Sequence, residues 1–435
     1  MDRKIKTGIV GTGARASFFF RDVLSLRNDV EIVAIADTDE KNMQVYSDWV
    51  YEKCGYRPKQ YKDYEKMYNE AGIDVVMIFS SWIEHVAATV KAMEKGIIAG
   101  CEVGGAYDVY DCWKLVDTYE RTKTPVMLLE NCCFGRLELL ALNMKRLGLF
   151  GKVVHCTGSY SHDLRSELAD GVFNRHYRLK EILCRNADTY PTHDFGPISE
   201  ILDINRGNRI VSLVSMSSCA MGLKEYAKDY SKPDKYSENR ILSFSGMEKD
   251  EIHREKEHTG ILENETVKQG DYFNTLIKCA NGETIQLTLD TTLPRYYSRN
   301  FSVHGTKGML YEENKSVFLE SDYTEKDGSE WNKYFGNVEE YYKKYDHPIW
   351  RNKTSGNGLL TGGHGGMDAL MLDCFLDCIK NKTEFPIDVY DMATWMSITC
   401  LSEQSVFLGS APQVVPDFTR GRWMHRKNEF LIHFN

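Results

Sequence analysis

The segment Gly11-Thr12-Gly13-Ala14-Arg15-Ala16 directly follows residues 5–10, which read as a short strand. Its spacing is that of a dinucleotide-binding turn. Gly11 permits the tight turn, Gly13 lets the backbone approach a pyrophosphate, and Ala16 keeps the next helix close to the sheet. The pyrophosphate would lie against the unpaired N–H groups of that helix start, near Thr12, Ala14 and Arg15. A second strand at 31–36 ends at Asp37, 24 residues after Gly13. An acid at that place accepts hydrogen bonds from ribose hydroxyls and repels a 2′-phosphate, so the spacing predicts NAD rather than NADP.

The elements that would carry this turn can be read from periodicity. After Asp37 a helix is expected to about residue 53. An almost wholly apolar strand follows at 73–79, as buried parallel strands require. An amphipathic helix at 82–95 is closed by Gly96. A strand at 97–103, a helix at 107–121 and a strand at 125–130 complete the pattern. This alternation predicts a doubly wound α/β unit. Glu102 and Asn131 end two of its strands, on the edge where such sheets bind ligands.

The character changes near Gly151. Strands are expected at 152–161 and 210–217. Asn281-Gly282 joins strands at 272–280 and 284–291 into a hairpin, and Gly305-Thr306-Lys307-Gly308 joins 299–304 to 309–313. The expected organisation is therefore an NAD-binding Rossmann domain over 1–150, then an α+β domain over 151–435 with a largely antiparallel open sheet. Residues 224–270 read as a charged, solvated insertion. The stretch 321–365 reads as a lid or a long surface loop. Helices dominate from Met367, to about 381 and again over 390–407.

Composition excludes several classes. The 435-residue chain carries a formal net charge of −9 and no Lys/Arg-rich run, so no nucleic-acid partner is expected. No apolar stretch reaches membrane-spanning length and no export signal precedes the first strand, which predicts a cytoplasmic protein without a membrane partner. The 12 cysteines contain no CxxC. They read as free, packed thiols, and no metal is expected. An exposed antiparallel face would suit a homo-oligomer.

Gly11-x-Gly13, Asp37, Cys101-Glu102-Val103 and His193 resemble the Gfo/Idh/MocA oxidoreductase superfamily. Most of its members oxidise sugar hydroxyls with a lysine from a Glu-Lys-Pro motif. Here Val103 stands at that lysine position and cannot transfer a proton. Glu-Val at this place resembles one branch, glycoside hydrolase family 109, the NAD-dependent glycosidases. Six further segments resemble that branch, in order: Trp82-Ile83-Glu84-His85, Glu130-Asn131-Cys132-Cys133-Phe134-Gly135-Arg136, Tyr190-Pro191-Thr192-His193, Pro294-Arg295-Tyr296-Tyr297-Ser298-Arg299, Gly363-His364-Gly365-Gly366-Met367-Asp368, and Pro416-Asp417-Phe418-Thr419-Arg420-Gly421. Gly104-Gly105 in place of Pro-Ala, Asp194 in place of Gly, and Glu84 in place of an aromatic residue are departures that leave the sugar open.

The resemblance implies a small glycoside as substrate, an N-acetylgalactosaminide or a related hexoside, and tightly bound NAD as cofactor. It implies oxidation at sugar C3, loss of the C2 proton, departure of the aglycone, addition of water, and reduction. Trp82, His85, Glu102, Val103 and Asn131 would join the Gly11–Arg15 turn and Asp37 around the cofactor. His193 would be the base for the C3 hydroxyl. Tyr160 would take the C2 proton, given a nearby cation such as Arg178 to lower its pKa. These two roles could be exchanged. Arg178, Tyr190, Pro191, Thr192 and Tyr297 would line the sugar, with Tyr297 and His364 as further catalytic candidates. Two other readings stay open on sequence: a net sugar dehydrogenase without the lysine, and a non-catalytic sugar or NAD sensor.

Overall fold

The computed structural model describes residues 3–174, 177–230, 266–322, 331–354 and 364–431. The first sheet holds β1 (Ile5–Val10), β2 (Val30–Ala36), β3 (Lys59–Tyr61), β4 (Val75–Ile78), β5 (Ile98–Cys101) and β6 (Val126–Leu128), all parallel, in the order β3-β2-β1-β4-β5-β6. β4 and β6 are buried at every residue, which explains their unbroken apolar sequence. The strand order reverses between β1 and β4, and in sheets of this kind ligands bind at the carboxyl ends of the strands beside that reversal. One helix between strands shows both kinds of cap. Asp39 accepts the N–H groups of Lys41 and Asn42 at the start of Glu40–Cys54, and Gly55 ends that helix at φ 77°.

The second sheet contains β7 (Val153–Ser161), β8 (Ile210–Ser217), β9 (Phe273–Cys279), β10 (Thr284–Asp290), β11 (Ser302–Gly305), β12 (Gly308–Tyr311), β13 (Ser316–Leu319) and β14 (Gln413–Val414). Their order is β13-β12-β11-β7-β10-β9-β8-β14. Both expected hairpins form, β9 with β10 and β11 with β12. β7 and β10 pair in parallel, an exception in an otherwise antiparallel sheet among the described residues.

Two C-terminal helices lock the sheets together. Val389–Phe407 starts in a capping box made by Asp388 and Asp391, buries Met392, Trp395 and Ile398, and packs against both β8 and the helix Val109–Thr122. Met367–Asn381 reaches back to the first domain, where Arg27 binds Asp373 at 2.7 Å and Asp377 at 3.2 Å.

The edge strand β3 and the helix Tyr64–Glu70 were not expected. Of the charged insertion, 231–265 lies outside the described residues, and 222–230 is helical. Of the lid-like stretch, 323–330 and 355–363 lie outside them, and the rest includes the helices Val338–Tyr345 and Pro348–Thr354. No helix among the described residues is long and apolar enough to cross a membrane.

Candidate active site

The carboxyl edge of the first sheet carries the dinucleotide turn. Gly11 has φ +83°, and a Cβ there would lie 2.6 Å from the Ser80 amide nitrogen, so only glycine fits. A Cβ on Gly13 would meet no atom within 4 Å. Gly13 begins the helix Ala14–Asp22, and no side chain caps that start. Open space thus faces uncapped amide donors, a cradle that fits a pyrophosphate. Asp37 Oδ2 accepts the Thr12 amide at 2.6 Å and the Thr12 hydroxyl at 2.9 Å, which anchors the turn to the end of β2. Its Oδ1 accepts the Asp39 amide at 2.9 Å and keeps capacity for a ribose hydroxyl.

His193 sits in the first turn of the helix Thr192–Ile201, which begins at Pro191 and packs on β7 and on the turn Asn131–Phe134. Glu130 precedes that turn and caps it, accepting the Cys132 amide at 2.9 Å. The same carboxylate lies 2.8 Å from His193 Nδ1. Glu130 is fully buried. Burial opposes its charge, but His193 and the Cys132 N–H outweigh it and hold its pKa below the usual carboxylate value. The Nδ1 proton is assigned from this network; it leaves Nε2 to face a substrate.

Aromatic rings wall this histidine. Tyr190 and Tyr160 meet its ring edge-on at centroid distances of 4.6 and 5.5 Å, and they contact each other at 4.4 Å. Trp82 stacks on Tyr190 at 5.6 Å and touches Tyr177 at 4.8 Å. The Arg178 guanidinium lies 4.5 Å from the Tyr190 centroid and 5.9 Å from that of Tyr160, and it pairs with Glu167. The Tyr160 hydroxyl lies 3.4 Å from His162 Nδ1, and the His162 ring meets Tyr297 at 5.2 Å. Tyr160, Arg178, Tyr190, His193 and Tyr297 therefore gather in one cluster, 137 residues apart at the extremes (160 to 297). Tyr177 and His162 belong to it too, although sequence reasoning gave them no role. Thr192 is buried at the helix start.

The expectation for Tyr160 needs correcting in one respect. Burial pushes its pKa up to about 12, and Arg178 offsets only part of this. The phenol is protonated at neutral pH. His162 lies lower than an ordinary histidine because burial disfavours its charge.

A second network surrounds Asp368, which is fully buried. It accepts Asn131 Nδ2 at 2.8 Å, Arg15 Nη2 at 3.0 Å and His364 Nδ1 at 2.7 Å. Burial opposes its ionisation, but His364 and Arg15 hold its pKa below the ordinary value. Arg15 also donates to Glu102 at 2.8 Å, and Glu102 accepts the Val103 amide. The guanidinium of Arg15 and the amide of Asn131 are thus engaged by protein carboxylates. His364, expected among the catalytic groups, joins this network and not the cluster around His193. Asp368 was given no role, although it stands in the same glycine-rich segment as His364.

His85 was expected to touch the cofactor. Its Nε2 faces the Ser80 carbonyl at 2.9 Å and its Nδ1 the Gly104 carbonyl at 3.2 Å, so it braces the loops and leaves no nitrogen for a ligand. Trp82 faces the tyrosine wall, with its indole against Gly104. Val103 is buried. Gly105 explains one departure from the resemblance: at φ +106°, its Cβ would lie 2.7 Å from both His85 Cβ and the Trp82 carbonyl. Gly105→Ala should cost about 1–3 kcal/mol, read as a lower melting temperature with the fold retained.

A second departure, Asp194, is buried, and its Oδ2 has no hydrogen-bond partner among the described residues. Asp188 is buried beside Tyr190 in sequence, and burial pushes its pKa up to about 7. The native state therefore binds the Asp188 proton more tightly than the unfolded chain. Stability must fall as pH rises from the ordinary carboxylate range through about 7. Asp188→Asn removes the Asp188 share of that fall, so thermal melting of parent and variant should agree near pH 4 and favour the variant increasingly towards pH 8.

Comparison with known proteins adds to this geometry. Residues 5–129 match the model of the oxidoreductase family with an NAD-binding Rossmann fold, and 134–246 with 246–425 match that of the glycosyl hydrolase 109 C-terminal domain. An alpha-N-acetylgalactosaminidase of Tannerella forsythia is 35% identical over 454 residues, covering 99% of this chain and 90% of its own. A protein of the same name from Shewanella oneidensis is 34% identical, covering 97% of this chain and 87% of its own. Among solved structures, levoglucosan dehydrogenase in complex with NADH superimposes with a TM-score of 0.66 at 16% identity, covering 95% of this chain and 100% of that one. An oxidoreductase from Agrobacterium radiobacter in complex with NAD+, L-tartaric acid and magnesium gives 0.62 at 14% identity, covering 95% and 98%. At such identities these structures speak for the fold.

Proposed function

We propose that this chain, which belongs to glycosyl hydrolase family 109, releases a terminal N-acetylgalactosamine or a related hexose from a glycoside and holds NAD at the carboxyl edge of its first sheet. Gly11 to Arg15 and Asp37 would hold that cofactor, with Trp82, Glu102, Val103 and Asn131 closing the loops around it. NAD, when bound, supplies a reversible oxidation at sugar C3, which acidifies C2–H and lets the aglycone leave before water adds.

The observation that carries this reading is what the carboxylates are doing. Direct hydrolysis needs two carboxyl groups flanking the glycosidic bond. Glu130 is held by His193 and the Cys132 amide, Glu102 by Arg15, and Asp368 by Arg15, Asn131 and His364. None of the three is presented as an acid or a nucleophile. Proton transfer falls instead to His193 and Tyr160. His193 Nε2 accepts the C3 hydroxyl proton, and Glu130 stabilises the resulting imidazolium. Tyr160 passes its phenolic proton to the neutral His162 as it takes the proton from C2. Arg178, beside Tyr160 and Tyr190, stabilises the developing oxyanion.

A panel of nitrophenyl glycosides, α and β, with and without the N-acetyl group, tests this at catalytic NAD. The expected result is nitrophenol release from an N-acetylgalactosaminide without net NADH. Stoichiometric NADH on free sugars, with no nitrophenol from any glycoside, would overturn it.

A further inference from the structure

We propose that Glu130, Cys132 and His193 form an inhibitory site for a thiophilic divalent cation of the zinc class. The three residues offer a carboxylate oxygen, a sulfur and a ring nitrogen that all lie within 4.8 Å of one another, the one such group among the described residues. Oxygen, nitrogen and sulfur together select zinc and its congeners over magnesium or calcium, which take oxygen ligands. Ligands of a tetrahedral zinc ion lie roughly 3–4 Å apart, given metal–ligand bonds of about 2.0–2.3 Å. To admit the ion, the His193–Glu130 contact, now 2.8 Å, opens by roughly half an ångström while the Cys132 sulfur closes on the pair.

The site is also supported on its own terms. Glu130 is fixed by the Cys132 amide at 2.9 Å, so the first ligand is already oriented by the backbone of the second. Cys132 Sγ is buried, with Asn131 Oδ1 at 3.6 Å as its acceptor. His193 retains 12% side-chain exposure, which gives the cation an approach through the sugar pocket. Three protein ligands leave a fourth position for water, as in open zinc sites.

Binding would exchange protons for metal. The thiol proton and the proton between His193 and Glu130 leave to solvent, and bonds to sulfur, nitrogen and oxygen form in their place. No redox step is involved. The cation removes the Glu130 contact that orients His193 and fixes the imidazole as a ligand. That inhibition rests on His193 serving as the base; the binding itself does not.

Sequence spacing did not point here. Glu130 and Cys132 are two apart, but His193 lies 61 residues beyond Cys132, and only the packing of its helix on the 131–134 turn unites them.

Cadmium is the spectroscopic probe and zinc the inhibitor. The full chain is titrated with Cd2+, and the ultraviolet thiolate-to-cadmium band is followed in the parent, Cys132→Ser and Cys133→Ser. The parent and Cys133→Ser should show a saturating high-affinity equivalent that Cys132→Ser lacks or binds more than about tenfold more weakly. In parallel, Zn2+ should inhibit nitrophenyl glycoside cleavage in the parent, and EDTA should reverse it. Each variant is referred to its own metal-free rate, and Cys132→Ser should resist inhibition. If Cys132→Ser does not fold, the test passes to Glu130→Gln, which should also lose the equivalent. Equal cadmium binding in parent and folded variants would overturn the site. A protein that gives the band but cleaves no glycoside would retain the site and overturn the functional reading.

Discussion

A His193→Gln protein is expected to fold, to retain NAD, and to cleave glycosides about 10³-fold more slowly than the parent, the usual cost of losing a positioned base. Glutamine is chosen because its amide can still donate to Glu130. Alanine would remove the imidazole that lies 2.8 Å from this buried carboxylate, leaving it the Cys132 amide, and would mix a stability loss with a catalytic one. The tyrosine wall contributes packing to sugar and variant alike, so KM should move far less than kcat. Steady-state kinetics with the best nitrophenyl substrate, beside a melting curve, separate the two effects. A variant that keeps more than a tenth of the parental kcat would remove His193 from the proton-transfer set.

Asp368→Asn is expected to produce the largest stability loss among conservative changes at the site, about 2–4 kcal/mol. Asp368 is fully buried and accepts hydrogen bonds from Arg15, Asn131 and His364. An asparagine there keeps one acceptor but turns an amide N–H toward donors already in place. Arg15 keeps Glu102, which limits the loss. Asp368 opens the helix Met367–Asn381 of the second domain, and Arg15 lies in the first helix of the dinucleotide domain. The variant should therefore loosen the join between domains and weaken NAD together. Thermal denaturation with and without NAD reads both: a fall of roughly 5–10 °C, and a smaller upward shift on adding NAD than in the parent. Unchanged melting and an unchanged NAD response would show that the network is dispensable.

Local signals in the sequence account for most of the fold. Gly11 and Gly13 between an apolar strand and a helix, Asn281-Gly282 between alternating strands, and Gly96 at a helix end each act within a few residues, so they can be read without knowing the rest. β3 escaped because Lys59 and Gln60 are exposed on an edge and leave one buried residue, Tyr61. The parallel pairing of β7 with β10 escaped because the partners are more than 120 residues apart (153–161 against 284–290) and no turn links them.

The site was legible in its residue types and not in its partnerships. His193, Tyr190 and Tyr297 stand in the matching motifs, Tyr160 and Arg178 outside them, and the structure gathers all five. What chemistry each can do depends on contacts that span the chain: His193 with Glu130 across 63 residues, Arg15 with Asp368 across 353. Tyr160 shows the limit best. Its neighbour Arg178 was anticipated, but burial outweighs that cation, and the ring within reach of the phenol is His162, one residue past the end of β7.

The most direct test of the central claim is the fate of the hydrogen at sugar C2 when the best substrate is cleaved in D2O. Elimination through a C3 ketone predicts that the released sugar carries solvent deuterium at C2, read by NMR or mass spectrometry. A released sugar that retains protium at C2 in full would contradict it, and would mean that this fold hydrolyses glycosides directly.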